Sequence, residues 1–162
     1  MIQTGDIILV KGDTPIVSRV IRWFTKSEYT HSAIAITENL VYEIDINKRL
    51  AIRPLDSKNY DVFRYKHGLT NEQQIMMQVY ANEKAEENKG YDWLHILSFA
   101  IQKLFRTKKV YEEANKVICS EIVDNIYGQL GIDLVPDRED GDVTPAHLSQ
   151  SPCLTKVISE HA

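Results

Sequence analysis

Apolar positions change their spacing several times along the chain, and each change marks an element. Ile7-Ile8-Leu9-Val10 is a short unbroken apolar run that suits a buried strand. Thr14-Pro15 then supplies a cap and a first-turn proline, and Ile16, Val17, Val20, Ile21 and Phe24 recur at helical spacing. The expected helix covers residues 15–24. Next the period shortens to two: Ile34 and Ile36 alternate with small residues, and Leu40, Tyr42 and Ile44 alternate on the way back. A hairpin with the loop Thr37-Glu38-Asn39 would pair Ile36 with Leu40 and Ala33 with Glu43. In that register Ile34, Ile36, Leu40, Tyr42 and Ile44 share one face, and His31, Ala33, Ala35, Glu43 and Asp45 share the other. A slip of one residue would turn Glu43 to the opposite side.

Residues 49–54 and 60–65 read as further short strands. Thr70 opens a strong helix, with Gln73 completing a capping box and Gly90 as its stop. Asp92 caps a second one over residues 93–105, dense in apolar side chains. A third is expected from about residue 119 to residue 130, stopped by Gly131. Thr144-Pro145 begins a short helical turn, and residues 154–158 make a last strand. The pattern predicts an α+β protein with an antiparallel sheet. With no internal repeat, low-complexity stretch or linker, residues 1–162 are expected to form a single domain.

Composition narrows the function more than the fold. A hydrophobic content of 43% with 26% charged residues is that of an ordinary globular chain. The net charge of −4 disfavours nucleic acid as a partner, because phosphate binding needs clustered excess Lys and Arg. Two cysteines, Cys119 and Cys153, make no disulfide framework. No apolar run approaches the ~20 residues of a membrane span, and the first strand follows residue 1 too closely for a signal peptide. Synthesis in a reducing cytoplasm is the expectation.

The candidate chemistry lies in Val117-Ile118-Cys119-Ser120-Glu121, read as an extended run turning into a helix at the sulfur. A thiol at a helix start feels unpaired N–H groups, which favour the thiolate. His31, opening the strand Thr30-His31-Ser32-Ala33-Ile34, is the proton acceptor such a thiol needs. Of the other histidines, His67 sits in a turn, His95 in the apolar helix, His147 after Pro145 and His161 in the tail. Glu43, two positions before Asp45 on the same face, is favoured as the carboxylate that orients His31, with Asp45 the alternative. Cys153 has no following helix and no basic neighbour, and reads as structural. Neither Cys-x-x-Cys nor His-Glu-x-x-His spacing points to a metal. Residues 93–105, followed by Arg106, Lys108 and Lys109, read as a core helix with cations at its C-terminal end. The sharper alternative is an apolar wall that accepts an acyl chain or touches a membrane surface.

In order, Gly5-Asp6-Ile7-Ile8, Thr30-His31-Ser32-Ala33-Ile34, Val41-Tyr42-Glu43, Cys119-Ser120-Glu121-Ile122-Val123 and Thr144-Pro145-x-x-Leu148 resemble the circularly permuted NlpC-like amidases. These are papain-fold proteins of the YiiX/YaeF type, related to lecithin–retinol acyltransferases. The resemblance runs from Gly5 to about Ile158, with the histidine hairpin ahead of the cysteine helix. It implies Cys119 as nucleophile, His31 as general base and Glu43 as its orienting partner, without cofactor or metal. The implied reaction is hydrolysis of an amide or ester through a thioester on sulfur, the substrate lipid-linked or a cell-wall peptide. Two alternatives stay open: an acyltransferase, and a non-catalytic binding module that retains the site.

Overall fold

The computed structural model describes residues 1–11, 27–44, 50–87, 110–136 and 143–160. Strands β1 (Ile7–Lys11), β2 (Tyr29–Ala35), β3 (Leu40–Ile44), β4 (Leu50–Pro54) and β5 (Tyr60–Tyr65) come first. Helices α1 (Asn71–Glu87), α2 (Val110–Gly128) and α3 (Pro145–Ser149) follow, and β6 (Leu154–Glu160) closes the chain. The strands form one six-stranded sheet in the order β4-β3-β2-β1-β5-β6. Every neighbouring pair is antiparallel. The expected α+β architecture, an antiparallel sheet flanked by helices, is therefore present. The helices expected over residues 15–24 and 93–105, the Gly90 stop and Asp45 lie outside the described residues.

The hairpin follows the alternation read from the sequence. Ile34 pairs with Tyr42 and Ala35 with Val41, the register that sets Ile36 against Leu40. The main-chain N–H of Ile36 donates to Leu40 O at 2.8 Å. Each face of the sheet then buries its own set. Ile7, Leu9, Ile34, Tyr42 and Phe63 pack with Met77 of α1, Val123, Ile126 and Tyr127 of α2, and Leu148 of α3. Ile8, Ala33, Ala35, Val41 and Val62 form a smaller cluster on the reverse face.

The helix ends follow their caps. Gln73 N donates to Thr70 Oγ1 at 3.2 Å and Thr70 N to Gln73 Oε1 at 3.0 Å, the reciprocal pair expected before α1. Gly131 takes a left-handed φ of 73°, and Ile132 N returns to Tyr127 O at 3.1 Å, closing α2.

One boundary differs from expectation. The helix expected to start at Cys119 starts at Val110, so the sulfur sits in its interior. Val117-Ile118 looked extended because both are β-branched. The preceding Glu112, Glu113, Ala114 and Lys116 are strong helix formers, and they carry the helix back past that pair.

A buried clamp ties α2 to the front of β1. Gly5 adopts a φ of 90°, a conformation glycine tolerates best, and its carbonyl accepts the hydroxyl of Tyr127 from the last turn of α2. Asp6 is buried and receives Arg64 through two parallel bonds, Nε to Oδ1 and Nη2 to Oδ2, each 2.7 Å. Gln3 N adds a third donor at 2.8 Å.

Candidate active site

His31 stands just after an irregularity in β2. Val10 pairs with His31 but Lys11 pairs with Tyr29, so Thr30 is an extra residue between them. Such a bulge bends a strand and re-aims the neighbouring side chains. In the hairpin register His31 and Glu43 are diagonal neighbours on one face, within reach of long side chains. His31 Nε2 and Glu43 Oε2 lie 2.8 Å apart. Both are half-buried, at 29% and 22% side-chain exposure.

Helix α2 packs across β2 and brings Cys119 to the same imidazole. The Cys119 thiol, only 2% exposed, is hydrogen-bonded to His31. The structure thus assembles Cys119, His31 and Glu43, the three residues singled out from the sequence. Asp45, the alternative carboxylate, lies outside the described residues. Two competing histidines are engaged elsewhere. His67 meets the Tyr65 ring edge-on at 5.3 Å, and His147 completes the cap of α3 through Thr144. Cys153 Sγ donates weakly to Asp133 O at 3.6 Å.

The electrostatics of the cluster are mutually consistent. Burial opposes charge on His31, but its hydrogen bonds to Cys119 and Glu43 outweigh that penalty and push the imidazole up to about 10. Burial likewise opposes a thiolate at Cys119. The bond and the charge of His31, with further bonds from the Ser32 main chain and hydroxyl, hold the thiol below its ordinary value. The two shifts run in the directions that favour a thiolate–imidazolium pair, with Glu43 on the far side of the imidazole.

The source of this activation differs from the one expected. Inside a continuous helix the N–H at position 119 is committed to a carbonyl one turn earlier, so it is not an open helix-start donor. Sequence reasoning also passed over Ser32, which is fully buried and touches both the sulfur and Ser120. A serine next to a histidine carries no signal by itself. Its partners come from a helix 88 residues away.

No protein-family model matches the chain, and no curated protein matches it in sequence. Among solved structures, the metalloprotein yiiX from Escherichia coli O157:H7 superposes with a TM-score of 0.65 at 22% identity, over 98% of each chain. The two chains share a fold along essentially their whole length. Among the described residues no group of three or more His, Cys, Asp or Glu side chains could hold an ion. Among the same residues no helix is long and apolar enough to cross a membrane.

Proposed function

We propose that residues 1–162 form a single permuted papain-like, NlpC-like domain acting as a thiol hydrolase on an amide or ester. The observation that carries this reading is the contact of His31 with both Cys119 and Glu43. In the proposed cycle the Cys119 thiolate attacks the substrate carbonyl carbon, and the carbonyl π pair moves onto oxygen. As that oxyanion collapses, the bond to the leaving amine or alkoxide breaks, and His31 delivers its proton to the departing group. The acyl group is then held as a thioester. His31, now neutral, takes a proton from water as its oxygen attacks the thioester carbon, and the released sulfur regains its pairing with the imidazolium. Glu43 keeps the imidazole oriented and offsets its charge throughout.

The shared fold with yiiX supports the domain assignment, and the order of the histidine hairpin before the cysteine helix supports the permuted arrangement. The burial of Cys119 favours a competing reading, a folded module in which the thiol is merely enclosed.

Labelling and turnover separate the two. Under the enzyme reading, iodoacetamide modifies Cys119 much faster than Cys153 near neutral pH. Incubation with either a muropeptide or an acyl lipid then leaves an acyl mass on Cys119 in acid-quenched protein. Cys119→Ala abolishes turnover in protein that circular dichroism shows to be still folded. Slow, equal labelling of both thiols and no acyl mass with either substrate would remove the hydrolase reading. An added amine that diverts product away from the free acid would identify acyl transfer as the second half-reaction.

A further inference from the structure

The strand ladder stops where the site begins. Ala35 N donates to Asp6 O at 2.8 Å and so faces β1, whereas Ile36 N faces β3 through Leu40 O, also at 2.8 Å. Main-chain groups alternate sides along an antiparallel strand, which turns the N–H of Ser32 toward β3. The β2–β3 pairs are Ile34↔Tyr42 and Ala35↔Val41, and they extend no further toward Ser32. A buried N–H without a strand partner costs stability unless something else accepts it. The sulfur of Cys119 does, and it also receives a hydrogen bond from the Ser32 hydroxyl. The Ser32 and Ser120 hydroxyl oxygens lie 3.2 Å apart, both fully buried, so the hydroxyl next to the sulfur is anchored from α2.

We propose that Ser32 is a positioning residue for the Cys119 sulfur, presenting to it a main-chain N–H and a hydroxyl whose direction Ser120 sets. The proposal rests on the reading of Cys119 as nucleophile. Ser32 plays its part before any substrate arrives: its two donors stabilise the negative charge of the sulfur in addition to His31. Among the described residues the titratable group bonded to the sulfur is His31 from β2, backed by Glu43 from β3. His147 of α3, which also packs against α2, is tied into the Thr144 cap.

The test measures iodoacetamide alkylation of Cys119 across pH in a Cys153→Ser background. Ser32→Ala is expected to move the midpoint of the profile to higher pH and to slow alkylation roughly three- to tenfold on its acid side. Ser120→Ala should give a smaller shift in the same direction, and Ser32→Thr, which keeps the hydroxyl, should restore most of the parent behaviour. A purely structural Ser32 would lower the thermal midpoint and leave the profile in place. Superimposable profiles for the parent and folded Ser32→Ala overturn the proposal. If Ser32→Ala does not fold, an unchanged profile in Ser120→Ala overturns it instead. A parent profile already typical of an ordinary thiol is a separate result, and it removes the hydrolase reading itself.

Discussion

His31 is the residue on which the site turns, because one imidazole is shared between a sulfur and a carboxylate. Each partner stabilises its charged form, and together they outweigh the burial that opposes it. Glu43→Gln keeps the shape and a hydrogen bond but removes a negative charge. The imidazolium should then lose its proton at lower pH, so the alkaline limb of turnover moves down from about 10. Turnover should also fall by roughly a hundredfold. A pH–rate profile of this variant beside the parent checks both. The His31–Glu43 contact could be anticipated because it depends on two local quantities, the hairpin alternation and the length of the Thr37-Glu38-Asn39 loop. The contribution of Ser32 could not, since it depends on where a ladder ends and on a helix far along the chain.

At the scale of elements, α2 decides whether the sulfur reaches the imidazole, and the clamp on its last turn holds it in place. In the sequence Gly5-Asp6 stood out only as part of the segment Gly5-Asp6-Ile7-Ile8 that carries the family resemblance. The structure gives the pair two jobs, a left-handed turn whose carbonyl receives Tyr127 and a buried carboxylate gripped by Arg64. A methyl at Gly5 would strain that φ and run into the Leu69 side chain. Gly5→Ala is therefore expected to cost about 1–3 kcal/mol of stability, read from denaturant unfolding, with faster loss of activity on mild heating. The early start of α2 was hidden for a related reason. A local window of β-branched residues reads as strand, while the helix formers before it and the packing of Val123 and Ile126 after it decide otherwise.

For the whole molecule, the contact between His31 and Cys119 links the charge of the site to stability. The raised His31 contributes stability that is complete below 6.5 and is lost as pH climbs through about 10. The lowered Cys119 contributes stability that is complete above 9.0 and is lost as pH falls through its depressed value. Above 9.0 an unfolded chain has already released the thiol proton, while the folded pair keeps its imidazolium proton until about 10. Stability from the pair must fall across that interval. The thermal midpoint of the parent minus that of a His31→Ala, Cys119→Ala double variant should decline there. A difference that stays constant through the interval would mean that the pair carries no charge. The antiparallel sheet and its helical cover were anticipated as a class, since alternation and caps report them, but the strand order was not. Nor was the end of the β2–β3 ladder beside the sulfur.

That interrupted ladder has one more consequence. Ser32 has exchanged a neighbouring strand for an atom that oxidation can change, so the seam between β2 and β3 is stitched at that point by chemistry instead of by backbone. Oxidising or alkylating the thiol would add atoms at a sulfur that is only 2% exposed and push apart the groups packed on it, the Ser32 amide among them. Redox damage at a single sulfur would then be felt first as a loosening of the fold.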